Sequence, residues 1–313
     1  MRVVIVTGAS SGIGRATARS LAEQGDRLVL ASRSAVRLDD VRRECEDRGA
    51  TDVLVVPTDV GDRAAVDRLF AAAVTRFGRV DAVVHAAAVL AYGRFEEVPA
   101  DVFDRVQRTN VEGTANVARA ALRTFAGQDS GRIVILGSVV GKIAAPLMSS
   151  YVTSKWAVHG LVRTLQIEAR KTPGVDITLV SPGGVDTPIY LLAGNYTGNG
   201  GRPPPPVDSP EKVARVVVRA LARPRREASV GAANAVMVAG FRLLPGVYDA
   251  IVSPLLERAA LSRTPVPAGS GNVLAPQPDE EAVHGRWGRH WLRGVGAVAV
   301  AGVSTGLRGA LRR

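Results

Sequence analysis

Cysteine is almost absent from this chain. Cys45 is the single one in 313 residues, which excludes a disulfide framework and any multi-cysteine metal site. Lysine is nearly as scarce, four against thirty-six arginines, so the formal charge of +11 is carried by guanidinium groups. Aromatic residues make up 4% of the chain and no nucleic-acid-binding motif accompanies them, so nucleic acid is not expected as a partner. The four histidines have no ligand spacing, and no metal is expected. No apolar run reaches the ~20 residues that would span a bilayer. The opening run "M-R-V-V-I-V-T-G" is too short for a signal peptide and reads as a buried strand. A lone cysteine fits a reducing, cytoplasmic setting. The charge then points to an anionic lipid surface or a phosphorylated cofactor.

What is present is a core and a rhythm. The apolar share of 46% excludes wholesale disorder. Over the first 180 residues, β-branched runs predict strands at 2–7, 27–32, 52–56, 80–85, 132–137 and 175–180. Amphipathic patterns between them predict helices at 13–24, 35–48, 62–76, 101–124 and 151–171. Near-continuous apolar strands alternating with helices mean an α/β fold: a doubly wound parallel sheet with helices on both faces and ligands beyond the carboxyl ends of its strands. Residues 1–231 are read as this domain, with the Gly/Asn/Pro-rich segment 188–208 as a substrate lid, a helix at 209–222 and a short strand near 228–231. Residues 232–313 are read as a C-terminal extension: an apolar stretch to 256, a Pro/Gly-rich connector at 264–278 and a basic tail.

The first strand runs into "T-G-A-S-S-G-I-G", with Gly8, Gly12 and Gly14. Glycines between a buried strand and a helix permit a tight turn and close approach of backbone to a pyrophosphate, which the amides at the helix start then face. The second strand ends "L-V-L-A-S-R-S". An NAD site usually places an acid there for the ribose hydroxyls. Ser32 holds that place and Arg33 follows, so NADP(H) is favoured over NAD(H).

Further along, "Y-V-T-S-K" sets Tyr151 and Lys155 one helical turn apart, and Ser138 lies thirteen residues upstream in "I-V-I-L-G-S-V-V-G". Together with Asp59 in "T-D-V", Asn110 in "T-N-V-E-G-T" and "S-P-G-G-V-D-T-P", these motifs make residues 1–190 resemble a short-chain dehydrogenase/reductase of the non-extended branch. The resemblance implies a Rossmann-like fold and an oxidoreductase interconverting a carbonyl and an alcohol. Its catalytic set falls on Ser138, Tyr151, Lys155 and Asn110. Tyr151 is the acid/base, Ser138 holds the substrate oxygen, and Lys155 binds the nicotinamide ribose. Asn110 supports a water-linked proton relay. A free phenol titrates at about 10, so the Lys155 charge is expected to favour the phenolate. Cofactor contacts fall on Gly8, Ser10, Ser11, Gly12, Ile13, Gly14, Ser32, Arg33, Asp59 (at the adenine), Val60 and Ala87. Tyr151, Lys155, Pro182, Gly183, Val185 and Thr187 complete them.

One departure stands out: the chain reads "H-A-A-A" from His85 where the family has N-N-A-G. A buried, hydrogen-bonded histidine is the expected reading. Substrate contacts are assigned to Ser138, Tyr151, Tyr190 and Leu191, and the apolar lid favours an apolar small molecule. The resemblance also implies a homo-oligomer through the helices at 101–124 and 151–171. The tail has fourteen uncharged residues at 294–307, with Arg286, Trp287, Arg289, Trp291 and Arg293 before them. Such a segment suits peripheral contact with an anionic membrane, and packing on the domain is its alternative. Two other functions stay open. One is a catalytically silent dinucleotide-sensing or scaffold protein, which has no need of an intact Ser, Tyr, Lys and Asn set. The other is a sugar-nucleotide epimerase or dehydratase, whose usual glycine spacing is missing here.

Overall fold

The computed structural model describes residues 1–288. Seven parallel strands form the central sheet: β1 (Val3–Thr7), β2 (Arg27–Ala31), β3 (Asp52–Val55), β4 (Ala82–His85), β5 (Gly131–Leu136), β6 (Val175–Pro182) and β7 (Glu227–Val230). Their order across the sheet is β7-β6-β5-β4-β1-β2-β3. The chain winds outward from β1 through β2 and β3, then crosses back to β4. The switch point therefore lies between β1 and β4, where a crevice opens beyond the strand ends.

Apolar strands serve two cores because successive side chains leave on opposite faces. Val4, Val6, Leu28, Leu30, Val84 and Val134 pack with α1 (Gly12–Ala22), α2 (Ala35–Asp47) and α7 (Pro210–Ala222) on one face. Ile5, Val29, Val83, Ile133 and Ile177 pack with α3 (Arg63–Phe77), α5 (Gly113–Ala126) and α6 (Ser149–Glu168) on the other. Each such fully buried side chain contributes about 1.5–3 kcal/mol of transfer free energy. Helix starts follow local chemistry: Asp62 caps α3 through the Ala64 amide, and Ser209 caps α7 ahead of Pro210. Helix α4 (Ala100–Gln107) passes into α5 through one π turn, Arg108–Glu112.

Beyond β7, the apolar stretch folds as a helical pair, α8 (Asn234–Leu243) and α9 (Pro245–Ala259). Phe241 meets Trp156 and Tyr248 edge-on, and Trp156 Nε1 donates to the Ile143 carbonyl. The segment read as a lid is ordered in short strands. Gly194–Asn195 pairs with Ala91–Tyr92, Asn199–Gly201 with Leu261–Pro265, and Val207–Asp208 with Gly184–Val185. Residues 269–273 are no loose connector either: Val273 is wholly buried against Val89, Val102 and Val106. The membrane reading falls on residues 289–313, outside the described residues, except for Arg286 and Trp287. Trp287 is buried rather than free to meet a surface. Among the described residues, no helix is long and apolar enough to cross a membrane.

His85, at the end of β4, ties three elements together. Its Nδ1 lies 2.8 Å from Thr7 Oγ1 on β1 and its Nε2 3.1 Å from Thr114 Oγ1 on α5. Thr114 gives its own proton to the Asn110 carbonyl, so Nε2 carries the ring proton and Nδ1 accepts from Thr7. Burial, aided by the Lys155 charge, pulls the imidazole pKa down to about 3. Unfolding frees the ring to take a proton near its ordinary 6.5, so between 6.5 and about 3 the unfolded chain binds the extra proton. Stability therefore falls as pH falls through that window, by up to about 1.4 kcal/mol per pH unit from this residue. Urea denaturation of wild type and His85→Asn at pH 7.5, 6 and 5 checks this. The variant is expected to lose less stability on acidification by about that slope; parallel losses would contradict it.

Candidate functional site

The crevice is built on a turn only glycine permits. Gly8 and Gly12 have φ of +67° and +51°, the left-handed region. A Cβ on Gly14 would lie 2.1 Å from the Gly8 carbonyl oxygen, and one on Gly8 would lie 2.7 Å from the Ala87 nitrogen. Helix α1 can thus begin directly against the ends of β1 and β4, with its amino terminus open to the crevice. Ser10 is buried, Ser11 precedes the helix and Ile13 packs into the core beneath it. Across the crevice, a Cβ on Gly12 would stand 3.2 Å from the Thr187 side chain. The backbone of β6 carries Pro182 into Gly183, whose amide bonds the Val230 carbonyl, and on to the buried Val185. A cradle that any side chain would fill, at a helix amino terminus, fits the pyrophosphate of a dinucleotide.

At the far end, Ser32 is buried and bonded to the Ser34 backbone. The Arg33 guanidinium donates to the carbonyls of Val273 (3.1 Å) and Asn272 (2.5 Å). Burial and the nearby Arg105 pull the Arg33 pKa down, against the attraction of Asp59 and Glu281. Asp59 accepts from the Gly61 amide at 2.9 Å and from Arg105. Burial would raise its carboxyl, but the bonds from Arg105 and Gly61 hold it below the usual range. Its carboxylate is therefore shared with a strand-end turn and an ion pair. Val60 packs against Gly113, where a Cβ would come within 2.6 Å.

The candidate reacting groups meet where β5 ends and α6 begins. Ser138 is extended, caps the short helix Val139–Gly141 through the Val140 amide, and lies close enough to the Tyr151 phenol to favour its charged form. Lys155, one turn along α6, is buried. Its Nζ donates to the Leu136 carbonyl at 3.0 Å and sits 5.5 Å from the Tyr151 ring centroid. The expected lowering of the phenol is not what this environment produces. Burial, with Tyr190 adding to it, drives Tyr151 well above its ordinary value, and Ser138 only partly offsets this. Burial also brings Lys155 down to about 8. The phenol is thus held protonated at neutral pH, the form that donates. Asn110 sits in the π turn, buried. Its Oδ1 accepts from the Val89 amide, and its Nδ2 donates to the Val89 carbonyl and Ser154 Oγ, each at 2.9 Å. Its side chain clasps the strand end after β4 to α6, behind Tyr151.

Of the residues expected at the substrate, Tyr190 packs beside Tyr151, whereas Leu191 is 37% exposed and stands outside that cluster. Sequence reasoning missed Tyr92, Met148, Leu256 and Leu261, which complete the apolar wall around Tyr151. Tyr92 is wholly buried, and its hydroxyl has no hydrogen-bond partner among the described residues. A β-branched spacing signal was available for none of them. Also missed was the segment after Val273, which lies along the crevice and places Glu281, Ala282 and Trp287 in it.

The family model for short chain dehydrogenase matches residues 2–191. The uncharacterized oxidoreductase YxnA of Bacillus subtilis (strain 168) is 32% identical over 84% of this chain and 75% of its own. An uncharacterized oxidoreductase of Staphylococcus aureus (strain USA300) is 35% identical over 72% of this chain and 92% of its own. Among solved structures, an alcohol dehydrogenase from the archaeon Thermococcus sibiricus, complexed with 5-hydroxy-NADP, superposes with a TM-score of 0.65. It is 31% identical and covers 74% of this chain and 96% of its own.

Proposed function

The chain belongs to the short chain dehydrogenase family and is an oxidoreductase using NAD(P). On that premise we propose that it interconverts a carbonyl and an alcohol on an apolar small molecule, with NADP(H) as the favoured cofactor. The observation that carries the reading is the gathering of Ser138, Tyr151 and the buried Lys155, its Nζ 5.5 Å from the Tyr151 ring centroid, beside the glycine cradle. The cofactor supplies the hydride when bound. Gly8, Gly12 and Gly14 would admit its pyrophosphate, and Thr187 and Val185 would hold its nicotinamide end. Ser138 orients the substrate oxygen, and the protonated Tyr151 gives its proton to that oxygen as the alkoxide develops. Lys155 bears the charge next to the phenol and is placed to hold the ribose. Asn110 fixes α6 relative to β4, so that Tyr151 stays in register with the crevice.

NADP(H) is supported by Arg33, by the lack of an acid at Ser32, and by Arg37 and Arg15 close at hand. The substrate side supports an apolar compound: Ile189, Tyr190, Met148, Leu256 and Leu261 offer no charge to a carboxylate or phosphate. A homo-oligomer is supported by an open apolar hollow between α5 and α6, lined by Ala118, Leu122, Leu161 and Leu165. The single cysteine, buried and raised to about 12 by desolvation, suits a cytoplasmic enzyme. Peripheral membrane contact would rest on residues 289–313, and the burial of Trp287 counts against an anchor at that end.

Tyr151→Phe tests the proton donor. It is expected to cut the turnover of any carbonyl substrate by about 100-fold or more while leaving the NADPH dissociation constant within about twofold. Surviving turnover would refute the role. Arg33→Ala tests the cofactor preference by titration with both nucleotides. NADPH affinity should fall by about tenfold or more, as loss of a charge-assisted contact implies, and NADH affinity far less. Equal losses would remove the preference.

A further inference from the structure

Residues 276–287 bind the crevice with the crevice's own recognition groups. The Ala282 carbonyl accepts from the Gly12 amide at 2.8 Å and from Ser11 Oγ at 2.9 Å. The Pro278 carbonyl accepts from Arg37 Nε at 2.6 Å. The Glu281 side chain faces Ser10 and feels the charges of Arg33, Arg37 and Arg15. Val283 is buried against Ala16 of α1 and Ala214 of α7. At the reacting end, the Trp287 amide donates to Asp186 Oδ1, and its ring meets Tyr190 edge-on with centroids 5.7 Å apart. In chain order the segment presents a carboxylate to an arginine cluster, a carbonyl to the start of α1, and an aromatic ring to the tyrosines. A 2′-phosphorylated dinucleotide presents its phosphate, its pyrophosphate and its nicotinamide in that same order.

We propose that residues 276–287 are a tethered competitor of the dinucleotide, with Glu281 in the place of the ribose phosphate, so that the seated segment and bound NADP(H) exclude one another. The inference rests on the cofactor reading above. The tether is fixed: Val273 is wholly buried, Gly271 turns at φ +52° against the Leu192 and Ala193 carbonyls, and Arg33 grips the carbonyls of Asn272 and Val273. Only the part after Val273 has to move. Its seating is imperfect at the carboxylate, where Glu281 Oε2 is buried with no hydrogen-bond partner among the described residues. Burial pushes the Glu281 pKa up despite Ser10 and the three arginines. A phosphate brings more charge and more acceptor oxygens to the same cluster and outcompetes it. Until displaced, a tethered occupant weakens the apparent cofactor affinity by the fraction of molecules in which the crevice is open.

Hydrogen exchange read by mass spectrometry on the full chain, with and without saturating NADPH, tests the displacement. Titration of wild type, Glu281→Ala and Glu281→Gln with NADPH tests the anchor. Expected are faster exchange over 276–287 when NADPH is bound and about tenfold tighter NADPH binding by both variants. Exchange that slows or stays unchanged would overturn the competition and make the segment a cover that closes on the nucleotide, leaving the cofactor reading intact. Variant affinities equal to or below wild type would overturn the role of Glu281. Failure of every protein to bind NADPH or NADH would overturn the cofactor reading and this inference with it.

Discussion

The contact on which the site depends is the approach of Gly14 to the Gly8 carbonyl. A methyl group there would sit 2.1 Å from the oxygen, closer than any real Cβ contact. Because neither residue has one, α1 starts within a turn of the end of β1, with its amides turned into the crevice at the β1–β4 switch point. Gly12 then comes up against Thr187, so the loop after β6 closes over the opposite side. The parallel sheet supplies the rest. Its strands are buried on both faces, which leaves their carboxyl ends as the place where polar side chains can gather without entering a core.

Electrostatics follow from that placement. Lys155 is buried and Tyr151 half-buried against an apolar wall, and desolvation moves each toward its neutral form: the phenol is raised and the ammonium lowered to about 8. The Leu136 carbonyl gives the ammonium an acceptor, and the nearby Ser138 partly offsets the rise of the phenol. The position of this pair is set by Asn110, whose three hydrogen bonds join the end of β4 to α6 through Val89 and Ser154. A helix that widens by one π turn at Arg108–Glu112 delivers that side chain inward.

Much of the architecture was legible because its causes are local. The expected strands at 2–7, 27–32 and 175–180 differ from β1, β2 and β6 by two residues or fewer at either end, since Val, Ile and Leu runs bounded by Gly and Asp have one reading in a covered sheet. Ser138, Tyr151, Lys155 and the glycines were legible through motifs that resemble a known family, and the fold brings them to one crevice. The rest escaped for physical reasons. Helices α8 and α9 leave Val236, Leu243, Val247 and Ile251 exposed, so the one-faced burial that periodicity detects is missing. The segment over the crevice is gripped largely through the carbonyls of Asn272, Val273, Pro278 and Ala282, which any residue type would supply. The altered phenol depends on burial, with Tyr190, a residue far from it in sequence, adding to it.

The proposed activity is hydride transfer between a nicotinamide and a carbonyl carbon in the crevice at the β1–β4 switch point. Incubation of the full chain with NADPH deuterated at the transferred C4 position and a panel of apolar ketones and aldehydes measures this directly. Mass spectrometry of the alcohols formed should find deuterium on the carbinol carbon of at least one product. NADPH binding by the same protein, with no labelled alcohol from any member of a broad panel, would contradict the claim.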